Sequence, residues 1–241
     1  MRNIRAIANR ELLSLFCSPM GYIVIAFFLA LTGVFVIATR SLEPGQPATL
    51  RSVFGFMPIM LTIFAPAITM RMLSDEYRTG TIETLMTVPV SDLQVVLGKY
   101  FAAFLYYCVM VAGTLIYVLL MLIFGSPDLG SMFTSYIGLL LAGAMFLSVG
   151  LFASSLTPNQ IVAWVTATIP MILFVFATNW VVSEVDSAPA IREVLQRVNI
   201  WKHMELFNRG LLMTESVAFF LATTMLFVFL TIKTVESRRW R

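Results

Sequence analysis

The sequence predicts an all-α integral membrane protein with six transmembrane helices. Three observations carry that expectation. Of the 241 residues, 59% are hydrophobic and only 12% are charged, about half the charged share of roughly 25% usual in soluble domains. The charges are also clustered, leaving uncharged runs at 12–39, 52–70, 100–127, 129–183 and 216–232. A bilayer core takes about 20 apolar residues as a helix. The 55-residue run is therefore long enough for two spans, and each of the other runs suits one.

Residues 1–18 read as a short amphipathic helix. Ile4, Ile7, Ala8, Leu12 and Leu15 recur at helical spacing, with Arg2, Arg5, Arg10 and Glu11 around them. Ser18-Pro19 breaks that pattern, and the first span covers 20–39. This stretch is too long for the apolar region of a secretory signal, about 7–15 residues. A polar loop with Pro44, Gly45 and Pro47 leads to a second span at 53–72, which contains Pro58 and Pro66. After a charged stretch comes the third span at 97–124, then a turn at Gly125-Ser126-Pro127-Asp128. The fourth span covers 132–155 and the fifth 160–182, separated by Thr157-Pro158-Asn159; the sixth covers 215–233. The whole chain, 1–241, reads as a single transmembrane domain.

Several chemistries have no residues to support them. No charged residue or histidine falls in the middle of an expected span, which argues against an ion-coupled carrier. His203 is the sole histidine and reads as a plain interfacial residue. No HExxH zinc motif and no GxSxG nucleophile elbow occurs. Gly98-Lys99 stands alone as a dipeptide at a helix start, without the rest of a phosphate-binding loop. The chain thus binds no cofactor of its own, and any driven work must draw energy from a partner. Cys17 and Cys108 read as two unpaired thiols. The pI near 9.0 fits a membrane whose inner face is anionic and does not point to nucleic acid. With both termini inside, the inner loops hold ten Lys and Arg against six outside, so the bias places both termini in the cytoplasm.

The segment 73–92 carries most of the information. It reads as a helix end with Asp75, Glu76 and Arg78, a break at Gly80, and a new short helix. Thr81 can cap that helix, with Glu83 in its first turn. Leu85 and Met86 make an apolar tip, Pro89 stops the helix, and Ser91-Asp92 caps the next one. Such a tip suits docking into a partner's groove; a solvated, capped loop is the plainer alternative. A second patterned segment, 183–213, contains a stretch at 191–212 with Ile191, Val194, Leu195, Val198, Trp201 and Leu206 near one face. It reads as an external amphipathic helix anchored by Trp201 and Phe207, either a lid or docking face, or a seal for the outer mouth. Gly143, Gly150 and Ser154 share one side of the fourth span, and Ala144 and Ser148 form a small-residue pair, as in close helix packing.

The string Asp75-Glu76-Tyr77-Arg78-Thr79-Gly80-Thr81-Ile82-Glu83-Thr84-Leu85, with Pro89-Val90-Ser91 and Leu97-Gly98-Lys99, resembles the signature of ABC-2-type export permeases. Ser18-Pro19-Met20-Gly21-Tyr22, Pro66-Ala67-Ile68-Thr69-Met70-Arg71-Met72 and the stretch 150–160 resemble the gliding-motility-associated (Gld-type) permeases among them. The resemblance covers essentially the whole chain. It implies a permease of the bacterial inner membrane that dimerises, with itself or a related subunit, and sits on separate ATPase subunits holding ATP and Mg. It also implies that Thr81–Pro89 is the coupling helix docked on the ATPase, braced by Asp75, Glu76 and Arg78. Arg2–Leu15, with Arg5, Arg10 and Glu11, would be an interfacial helix touching the same partner. A membrane-anchored protein with a periplasmic domain would accompany the complex. The alternative function is a membrane scaffold that anchors an extracytoplasmic machine and transports nothing.

Overall fold

The computed structural model describes residues 2–39, 50–80, 91–124, 127–184 and 195–238. Regular structure among these residues is α-helical, without a strand. Six of the helical segments are long and apolar enough to cross a membrane.

Helix α1 (Arg2–Cys17) meets α2 (Pro19–Ala38) at Ser18, whose extended backbone (φ −85°, ψ 132°) turns the chain. Pro19 opens α2, where its missing N–H costs nothing. Helix α3 (Arg51–Thr69) contains both expected prolines and passes through a turn into α4 (Ser74–Thr79). Gly80, at φ 70°, closes α4 in the left-handed conformation that favours glycine. Helix α5 (Asp92–Gly113) is capped as expected: the Ser91 hydroxyl accepts from the Gln94 amide at 3.3 Å. Helices α6 (Leu115–Phe124), α7 (Leu129–Leu156), α8 (Gln160–Glu184), α9 (Ile200–Asn208) and α10 (Thr214–Arg238) follow.

The long helices begin and end within five residues of the expected spans, with one difference of shape. The third span is broken at Thr114 rather than continuous. The Thr114 amide bonds the Val111 carbonyl at 2.9 Å, three residues back, and its hydroxyl reaches the same carbonyl at 2.6 Å. Adjacent Gly113 lets Leu29 of α2 come close; a Cβ there would lie 3.1 Å from Leu29 Cδ1.

Helix α7 is the hub of the bundle. It packs on α3, α5, α8, α9 and α10. In its most apolar stretch 72% of residues are buried, and 67% in the segment containing α3. The corresponding shares for α2 and α10 are 28% and 22%, so those helices present most of their surface outward, as to lipid. An apolar helix can occupy the centre only if its neighbours approach closely, and glycines permit that. A Cβ on Gly143 would run into the Tyr107 ring of α5, and one on Gly150 would lie 3.3 Å from the Pro66 Cα of α3. The small residues of the fourth span thus serve packing within the chain.

Tyrosines on α5 and α6 tie this core together. The Tyr100 and Tyr107 hydroxyls donate to the Ala144 and Leu139 carbonyls of α7, at 3.1 and 2.7 Å. Tyr106 and Tyr117 donate to Gly21 and Leu29 of α2, at 2.5 and 2.7 Å. Hydrogen bonds between membrane helices contribute about 0.6 kcal/mol each on average, so the set fixes register more than it adds stability.

Candidate functional site

At the end of the bundle that carries α1, three elements converge on a buried ammonium group. Lys99, near the start of α5, is fully buried. Its Nζ lies 2.7 Å from Glu76 Oε1 on α4 and 3.1 Å from Glu11 Oε1 on α1. Arg10, more than half exposed, closes the cluster from outside at 2.7 Å from Glu11 and 3.3 Å from Glu76. Gly98 makes room for α1, since a Cβ there would lie 2.8 Å from Ile7 Cγ2. A buried charge is tolerated only when paired. Burial disfavours the ionised Glu11, but Lys99 and Arg10 outweigh it and hold its pKa below the ordinary carboxylate value. A polar cavity of about 160 Å³ adjoins the cluster, between Glu11, Ser18, Arg71, Asp75, Glu76 and Lys99.

Short as it is, α4 is bonded to most of the elements at this end. Its first residues lack a cap of their own. Ser154 of α7 supplies one: its hydroxyl accepts from the Leu73 and Ser74 amides, both at 3.1 Å, and donates to the Met70 carbonyl at 3.0 Å. Asp75 accepts from Gln160 at the start of α8 and pairs with Arg71 (3.5 Å) and Arg78 (3.4 Å). Arg71 also donates to Ser18 between α1 and α2, at 3.2 Å. Arg238, ending α10, lies 4.4 Å over the Tyr77 ring and donates to the Leu156 carbonyl at 2.5 Å. Helices α1, α5, α7, α8 and α10 are therefore each joined to α4 by a side-chain contact.

Ser154→Ala is expected to loosen this junction. It leaves two buried amides without an acceptor, at about 1–3 kcal/mol for an unsatisfied buried group. Hydrogen exchange at residues 73–79 should quicken while exchange in the centre of α7 stays unchanged.

The structure thus brings Asp75, Glu76 and Arg78 together with Arg10 and Glu11, and sets Gly80 at the end of α4. Arg5 lies on the exposed face of α1. Thr81, Glu83, Leu85, Met86 and Pro89 lie outside the described residues. Sequence reasoning missed Lys99, treating it as half of a dipeptide at a helix start. A lysine at the mouth of a span, directly after a glycine, was the available signal, and it names no partner. Ser154 was read as a packing residue, and its capping role has no mark in the sequence.

At the opposite end α9 lies against the starts of α3, α7 and α10 and the end of α8. The Phe207 carbonyl accepts from Thr134 (2.7 Å), and Asn199 Nδ2 donates to the Thr178 carbonyl (3.4 Å). The expected amphipathic face exists here, but it turns inward. Phe207 is fully buried rather than an interface anchor, because Gly138 of α7 leaves a niche for its ring; a Cβ there would sit 2.7 Å from Phe207 Cγ. Trp201 is partly buried and packs against the core. His203 is buried too, not interfacial. Its Nε2 donates to the Arg197 carbonyl and Nδ1 pairs with the Ser216 hydroxyl, both at 2.9 Å, while Phe219 stacks on the ring at 4.6 Å. Residues 185–194, the first part of this segment, lie outside the described residues.

Six lipid-length helices, one of them a glycine-rich central span, with the charges gathered at the bundle's ends, define a multi-pass membrane protein. The family model described as ABC-2 family transporter protein matches residues 14–183, more than half of the chain, and the chain belongs to that family. A search of curated proteins gives no match.

Proposed function

We propose that the chain is the permease subunit of an ATP-driven ABC-2-type transporter, coupled to separate ATPase subunits through the segment that follows α4. One observation carries this reading: side chains join α4 to α1 and to the ends of four spans. A push delivered at residues 81–90 would reach α4 next, and through it those elements together. The α1 end is then cytoplasmic, as the excess of Lys and Arg on that side favours. Two protomers, each on one ATPase holding ATP and Mg, would move against one another in the inner membrane to export cargo or pass force to a periplasmic partner. The resemblance of residues 18–22, 66–72 and 150–160 to gliding-motility-associated permeases is what suggests such a partner.

The test is Leu85→Arg together with Met86→Glu. These residues precede no span directly, so the protein should still insert and fold. The expected result is loss of ATPase co-purification and of permease-stimulated ATP turnover. Unchanged assembly and turnover would remove the coupling assignment.

A further inference from the structure

We propose that the apolar cavity between α7, α8 and α10 binds one acyl chain of an anionic phospholipid, drawn from the leaflet away from α1. The cavity is about 380 Å³. A 150 Å³ apolar cavity already stays dry and takes benzene, and ligand pockets begin near 300 Å³. Its floor is Met145 and Met171, both buried, and thioether side chains adapt to a flexible guest. Thr223 brings a hydroxyl to the lining, and that hydroxyl is already spent on the Phe219 carbonyl at 2.8 Å. Such a wall offers a polar cargo nothing and suits hydrocarbon.

The flanking surfaces say which hydrocarbon reaches it. Leu173 and Phe176 of α8 and Met225 and Leu226 of α10 are exposed, so the bilayer lies alongside. The roof is Val198 and Ile200, from the segment at the end opposite α1. Next to them in the chain are Arg197 and Lys202, both exposed. The loop at 183–213 holds four Lys and Arg but also four Asp and Glu, Glu205 among them, so the attraction for an anionic headgroup rests on where Arg197 and Lys202 stand and not on the loop's net charge. A phosphodiester at the membrane surface above a chain in the cavity would meet those cations.

The inference holds whether or not an ATPase drives the chain, and its test needs no turnover. The full chain is reconstituted in vesicles of phosphatidylethanolamine and phosphatidylglycerol, extracted in mild detergent, and its retained lipid counted by native mass spectrometry. Retention of one phosphatidylglycerol per chain is expected. Thr223→Trp and Val149→Phe each add bulk to the lining. Each should lower retention about tenfold, what losing roughly two buried methylenes corresponds to, at an unchanged melting temperature. Arg197→Glu with Lys202→Glu should exchange the retained lipid for phosphatidylethanolamine. Wild-type retention in either filled variant overturns the proposal, as does phosphatidylglycerol persisting in the charge-reversed one.

Discussion

Lys99→Met is expected to be the most damaging single change at the α1 end. It leaves Glu11 and Glu76 sharing a buried site with only the exposed Arg10 to balance them. Removing one partner of a buried ion pair costs about 3–5 kcal/mol. The companion variant decides what the charges are for. Replacing the whole set, Lys99→Met with Glu11→Gln and Glu76→Gln, removes the stranded carboxylates as well. With no charge left stranded, the penalty that makes one-sided removal costly is gone. Melting of the purified protein should therefore recover in the triple variant. If the cluster also transmits motion from α4 to α1 and α5, stimulated ATP turnover should stay low despite that recovery. Turnover returning in step with stability would reduce Lys99 to a structural tie.

Gly143→Ala should lower stability where a helix propensity argument predicts a gain. In an ordinary helix interior alanine is favoured over glycine by about 1 kcal/mol. Here the new methyl would enter the Tyr107 ring, which is fully buried. Overpacking a tight core costs about 1–3 kcal/mol. Moving the ring also breaks the bond from its hydroxyl to the Leu139 carbonyl. Thermal unfolding in a fixed detergent reads the sign directly. Tyr107→Leu in the Gly143→Ala background gives the methyl space and should restore most of the loss. If Gly143→Ala alone is stabilising, α5 and α7 do not pack at this point.

What the sequence made legible divides along a physical line. Span number and approximate limits come from uncharged length, which the bilayer imposes on each span separately. Caps and breaks such as Ser18-Pro19, Gly80 and Ser91 are local too, and each was found where expected. Properties that depend on a distant partner were less visible. Lys99 looks like an ordinary helix-start residue until Glu11, 88 positions away, is seen beside it. Phe207 looks like an interface anchor until Gly138 is seen to make room for it. The break at Thr114 reflects Leu29 and Tyr136 as much as its own neighbours. Hydrophobic periodicity reports that a face is apolar, not whether lipid or protein will meet it.

Six residues are too few to hold a helix unaided, because the first turn fixes more backbone than its one hydrogen bond repays. The shape of α4 is therefore conditional on its surroundings. Its opening amides are held by a serine from the fourth span and its closing turn is set by a left-handed glycine, so the spacing of spans two and four bears directly on it. Moving those two spans apart would take the Ser154 acceptor away from both amides and is expected to loosen the helix. A loosened α4 would also lengthen, from about 1.5 Å per residue as a helix toward more than twice that when extended. A spectroscopic pair across residues 72 and 80 would register the difference.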